Sequence, residues 1–107
     1  MNTSIQDGCH IARWALISSD VKIGRHVSVG PFSDLGHDTT IGNYSHLGAY
    51  TFTGGFSQIG EEVTIHPRCN ILPHKKIGNR SIIGAGSIVI KNVKPDISVF
   101  GIPAKQI

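Results

Sequence analysis

Residues 23–42 read Ile23-Gly24-Arg25-His26-Val27-Ser28-Val29-Gly30-Pro31-Phe32-Ser33-Asp34-Leu35-Gly36-His37-Asp38-Thr39-Thr40-Ile41-Gly42. An aliphatic residue stands at every sixth position, glycine follows it, and a small or β-branched residue comes four positions after it. The series extends outward without an insertion: Ile5, Ile11 and Ile17 precede this stretch, and Leu47, Thr53, Ile59, Ile65, Ile71, Ile77, Ile83 and Val89 follow it. Only Thr53 breaks its aliphatic character. A hexapeptide period is the mark of a parallel β-helix. Six residues are too few for a helical unit but suit a short strand and a bend, and the period of two expected of hairpins is absent. Three hexads close a triangular coil of 18 residues, so positions 18 apart stack about 4.8 Å from one another. The predicted class is all-β, with about five coils over residues 1–94. Residues 95–107 leave the register, contain Pro95 and Pro103, and are expected to run as an extended tail. Glycine after the inward residue suits either a positive φ or close packing.

A chain of 107 residues is one small domain. Its core comes from coil stacking, and its exposed flanks favour self-association. No apolar run approaches the roughly 18 residues of a membrane span, and no signal-peptide pattern opens the chain. The expectation is a soluble, cytoplasmic protein. Seven of the ten basic residues lie from Arg68 onward against a single acid, Asp96, so this part carries +6. Three cations against six acids leave the remainder at −3. The basic end is either a solvated face or a seat for a small polyanion. Nucleic acid is not expected, because basic and aromatic side chains are not interleaved. Cys9 and Cys69 both fall in the small, inward register, more than three coils apart. That is at least about 14 Å, beyond the roughly 7 Å a disulfide spans, so both are core fillers.

Stacking also orders the surface. Trp14, Phe32 and Tyr50 are 18 apart and form an aromatic ridge three residues after the inward position; Tyr44 and Phe56 share that phase. Exposed aromatic ridges mark contact surfaces, and burying one in closed symmetry leads to an expected homotrimer. Ala49, Pro67 and Ala85 form a small or flat column, read as a trough along the axis. His37 stacks over Gly55, which clears space beside the imidazole.

The repeat, together with Ile23-Gly24, Leu35-Gly36-His37-Asp38-Thr39-Thr40-Ile41-Gly42, Tyr44-Ser45-His46-Leu47, Gly54-Gly55, Ile83-Gly84-Ala85-Gly86-Ser87-Ile88-Val89 and Gly101-Ile102-Pro103-Ala104-Lys105, resembles the hexapeptide-repeat acyltransferases. Within them it is most similar to the branch that acetylates sialic acids on oxygen or nucleotide-linked amino sugars on nitrogen. The resemblance implies a left-handed β-helix, where the general crossover rule would give a right hand. It implies acetyl-CoA as donor, a hydroxyl or amine acceptor, and direct transfer with His37 as general base and Asp38 influencing its charge. It places His46 at the thioester and Gly55, Pro67, Ala85 and Lys105 at the cofactor. Two features depart from the branch: nothing here corresponds to its N-terminal sugar-binding domain, and Ile102 stands where the tail motif has asparagine.

Acetyl transfer needs a base, oxyanion donors and a channel for the pantetheine arm. No metal is expected. The γ-class carbonic anhydrases share this fold and use a pair of zinc-binding histidines five apart, but residue 42, five beyond His37, is glycine, and no histidine pair in the chain has that spacing. A buried thiol in an apolar slot is a poor nucleophile. The competing reading is a non-catalytic trimeric β-helix that binds or scaffolds.

Overall fold

The structure is a computed structural model and describes residues 2–107. Fifteen two-residue strands wind into stacked coils, and two longer strands close the C-terminal end. They form three parallel sheets, the faces of a prism measuring 35 × 22 × 20 Å. Face A holds Ser4–Ile5, Lys22–Ile23, Thr40–Ile41, Gln58–Ile59 and Lys76–Ile77. Face B holds His10–Ile11, Ser28–Val29, His46–Leu47, Thr64–Ile65 and Ile82–Ile83. Face C holds Leu16–Ile17, Asp34–Leu35, Phe52–Thr53, Asn70–Ile71 and Ile88–Val89. Among these fifteen strands each residue pairs with the one 18 away, as in Ile23 with Ile41 and Leu35 with Thr53. No helix is long and apolar enough to cross a membrane.

The second residue of each strand points inward. From Ile23 to Val89 these side chains are 3% exposed or less and form one continuous core. The small register fills the corners of the triangle. Ser33, Thr39, Ser45, Thr51 and Ser57 are as buried as the valines because each hydroxyl has a partner: Thr51 donates to the Gly48 carbonyl at 2.7 Å and Ser57 to that of Gly54 at 2.6 Å. Thr53 lies in the core with its Oγ1 3.2 Å from that of Thr39. A buried hydroxyl with a partner avoids the desolvation penalty of an orphaned one. Cys69 is fully buried and Cys9 partly so; both thiols are free.

Of the two reasons for the glycine register, close packing decides. The glycines after the inward residues do not have positive φ; a Cβ on Gly54 would lie 2.5 Å from the Pro73 nitrogen of the next coil. Positive φ falls instead on the second residue of each corner, including Trp14 (64°), Phe32 (59°), Asp38 (59°), Tyr50 (59°), Phe56 (62°) and Arg68 (64°). That conformation costs an L-residue roughly 1–2 kcal/mol. A coil-to-coil hydrogen bond holds it in place: Tyr50 N–H donates to Pro31, Arg68 N–H to Ala49, and Phe56 N–H to His37, at 2.9–3.0 Å.

The tail is extended, but it is also part of the prism. Val93 bridges Ile77 and Val99 pairs with Ile83, each 16 residues away, so the last coil is two residues short. Strand Ser98–Gly101 extends face B, and Ala104–Gln106 folds back antiparallel on it. Val93 and Val99 are buried, which closes this end of the core.

Candidate active site

Three corners separate the faces. The corner between faces C and A carries Ser19, His37, Gly55 and Pro73 in one column and Asp20, Asp38, Phe56 and His74 in the next. His37 Nδ1 is 3.1 Å from Asp38 Oδ2, with the two side chains 56% and 40% exposed. So exposed a contact contributes little stability; its effect is orientation. When Nδ1–H donates to Asp38, Nε2 is the acceptor nitrogen. That nitrogen lies over Gly55, where a Cβ would come within 2.7 Å of it. Phe56 meets the imidazole edge-on with ring centroids 5.1 Å apart, and His74 stacks on the far side of Phe56 at 5.0 Å. The imidazole is therefore oriented by Asp38 and Phe56, with the space beside Nε2 kept clear by Gly55.

The corner between faces B and C carries Arg13, Pro31, Ala49, Pro67 and Ala85 in one column and Trp14, Phe32, Tyr50, Arg68 and Gly86 beside it. The aromatic ridge stacks, with centroids 6.3 Å apart for Trp14 and Phe32 and 5.1 Å for Phe32 and Tyr50. All three rings are exposed. His46 is exposed on face B, three residues before Ala49. Lys105, on the outer hairpin strand, lines a concavity of about 290 Å³ with Lys91 and Lys94. A larger one, about 450 Å³, lies on face A beside Gln58, Lys76 and Lys94. None of the principal concavities is lined by His37, His46, Pro67 or Ala85.

The sequence-derived residues fall into two groups. His37, Asp38 and Gly55 share one corner; Pro67 and Ala85 share another, with His46 on the adjoining face B and Lys105 on the hairpin that extends that face. One chain does not bring the groups together. Both corners, however, bound face C. Its outer surface carries Leu16, Asp34, Phe52, Asn70 and Ile88, with Leu72 and Ile90 beside them, so it alternates apolar and polar side chains, whereas face A presents Ser4, Lys22, Thr40, Gln58 and Lys76 and has no large apolar one. Leu16 is 66% exposed and Phe52 39%.

Sequence reasoning passed over Phe56 as a neighbour of His37, and Arg68, whose guanidinium lies 4.4 Å over the Tyr50 ring. The 18-residue spacing that found the ridge continues to Arg68 and would have included it. Burial pushes the Cys69 thiol up, away from the thiolate. Among the described residues no three His, Cys, Asp or Glu side chains gather as metal ligands.

The model of the bacterial transferase hexapeptide (six repeats) matches residues 20–55 and 56–91. A galactoside O-acetyltransferase of Lactococcus lactis is 30% identical over 85 residues, which is 79% of this chain and 41% of that protein. A serine acetyltransferase of Buchnera aphidicola is 45% identical over 47 residues, 44% of this chain and 18% of its own length. The chain therefore spans less than half the length of these curated relatives. Among solved structures, AntD, an N-acyltransferase of Bacillus cereus in complex with dTDP-4-amino-4,6-dideoxyglucose and coenzyme A, superposes with a TM-score of 0.94 at 18% identity, covering 98% of this chain and 71% of AntD. A superposition that close requires the same hand of coil, so the fold is the left-handed parallel β-helix the resemblance implied. With more than half its length matched, the chain belongs to the bacterial transferase hexapeptide family.

Proposed function

We propose that the chain transfers an acetyl group from acetyl-CoA to a hydroxyl or amine of a sugar or sugar nucleotide, as a homotrimer with face C turned toward the symmetry axis. The observation that carries this reading is the position of the two residue groups on opposite edges of face C. Rotation about an axis facing face C sets the His37 corner of one subunit against the Ala49–Pro67–Ala85 strip of the next. It also buries Leu16, Phe52 and the Trp14–Phe32–Tyr50 ridge, which a lone prism leaves in water. Acetyl-CoA lies along the strip with its thioester beside His46 and its phosphates toward Lys105. His37 Nε2 takes the proton of the acceptor as the hydroxyl or amine attacks the thioester carbonyl. The tetrahedral intermediate then expels the CoA sulfur, which receives that proton.

Relatives that acetylate galactosides and serine support acyl transfer at this level. The sugar nucleotide bound to AntD supports the choice of acceptor class. The test is acetyl-CoA binding by calorimetry, followed by thiol release against a panel of sugar nucleotides and amino sugars. Transfer to one panel member, lost in His37→Ala while CoA still binds, is the expected result. A protein that binds no CoA is a scaffold, and the proposal falls.

A further inference from the structure

The stack on the corner between faces B and C has an empty rung. Trp14, Phe32 and Tyr50 lie nearly parallel, with interplanar angles of 18° and 11°, and the Arg68 guanidinium continues the stack over Tyr50. The next position in the column, 18 residues on, is Gly86. Its backbone repeats the corner: φ is 72°, and its N–H donates to the Pro67 carbonyl at 2.9 Å. A Cβ built there meets no atom within 4 Å. The aromatic side chain that the tail brings back, Phe100, covers Gly84 instead and leaves Gly86 clear. The guanidinium carbon thus lies 4.4 Å over the Tyr50 ring, and the column position beyond it, at Gly86, is clear of other atoms. Among the described residues Arg68 has no carboxylate partner.

We infer that this rung seats a planar nucleobase, the adenine of CoA, stacked on the free face of Arg68. The inference rests on the proposed donor, because Gly86 adjoins Ala85 at the basic end of the strip. Guanidinium planes stack on bases as aromatic rings do, and the coil spacing of about 4.8 Å leaves room for one ring per rung. A stacked base contributes roughly 1–3 kcal/mol by substitution, equivalent to about 5- to 150-fold in Kd. The stack also selects the donor: a bare acyl-pantetheine has nothing to place on the rung.

Two substitutions test this in the intact protein. Arg68→Lys keeps the charge and loses the flat surface. Gly86→Phe supplies the missing ring from the chain itself, and its backbone suits an aromatic residue, since Trp14, Phe32 and Tyr50 adopt φ of 59–64° at the same corner. Calorimetry should give a Kd for CoA about 5- to 150-fold weaker in both variants. The Kd for acetyl-pantetheine, which lacks the nucleotide, should stay within about twofold, and the Gly86→Phe protein should melt no lower than the parent. Unchanged CoA affinity in both variants overturns the inference while leaving the donor site standing. Equal weakening of acetyl-pantetheine overturns it as well, because the damage would then lie along the strip. A parent that binds neither compound removes the proposed function and this inference with it.

Discussion

Adjacent glycines, Gly54 and Gly55, should respond to alanine in opposite ways. At Gly54 the new Cβ would meet the Pro73 nitrogen at 2.5 Å and its ring carbons at 2.6 Å, in the coil one step along. Those atoms are the backbone nitrogen and the rigid ring of Pro73, on a rung held by the Gly54 N–H to Ile71 carbonyl bond of 2.8 Å, so the coils must part locally. Overpacking of this kind costs about 1–3 kcal/mol, and about 4–8 °C of Tm per kcal/mol is usual for a domain near this size. At Gly55 the nearest atoms are Nε2 and Cε1 of His37, at 2.7 and 2.8 Å, the far end of a half-exposed side chain. The ring can swing away, and φ at Gly55 is not positive, so the fold is spared. Restricting the unfolded chain even contributes about 0.4–1 kcal/mol.

What the ring loses is its aim. A misplacement of about 1 Å can cost 10²-fold, and the whole contribution of a general base, about 10²–10⁴-fold, is the ceiling. Gly55→Ala should therefore lower kcat by roughly 10- to 100-fold with Tm and the KM for acetyl-CoA nearly unchanged. Added to His37→Ala it should do nothing further. Thiol release with the acceptor found in the sugar-nucleotide panel measures the rate, and imidazole NMR signals report the ring directly. Full activity of Gly55→Ala with unshifted His37 signals would refute the argument that the open space beside Nε2 is used.

Phe52→Glu, at the centre of face C, should dissociate the trimer into folded monomers in sedimentation, and Phe32→Glu on the ridge should do the same; a stable monomer of the unmutated protein would end the trimer proposal. Mixing inactive His37→Ala with inactive Ala85→Trp should restore part of the activity, because some interfaces then pair an intact histidine with an intact strip. A mixture that stays dead after proven subunit exchange places the site within one chain. Asp96 is held below the usual carboxylate range by hydrogen bonds from Arg80, at 2.6 and 3.2 Å. A depressed carboxylate stabilises above its unfolded pKa and loses that contribution as pH falls through the folded one. Melting of the parent and of Asp96→Asn should therefore differ slightly at neutral pH and converge below about pH 4; a gap that widens in acid contradicts the pairing.

The period of six was enough to place nearly every inward side chain, because stacking puts each residue in an environment set by its neighbours 18 away. Thr53, the one polar member of the series, stayed in register because Thr39 beside it offers a hydroxyl. The same spacing located His37 above Gly55 and the Trp14–Phe32–Tyr50 ridge. It could not choose between the two roles for glycine. That choice depends on how near the next coil comes, and the strained φ proved to belong to Trp14, Phe32, Asp38 and their counterparts. Nor could it see the last coil shorten by two residues, since Val93 and Val99 join the core through pairings 16 apart.

The sequence by itself determined the coil, its core and the residues eligible for chemistry, because those follow from local periodicity and side-chain type. Only the tertiary structure decided that His37 and the Ala49–Pro67–Ala85 strip occupy opposite edges of face C, and that the Arg68 guanidinium lies over the Tyr50 ring below an unfilled rung. Such relations depend on which side chains meet across coils and around corners. A one-dimensional period gives each residue its rung and its face; the distances and orientations between faces come from packing in three dimensions.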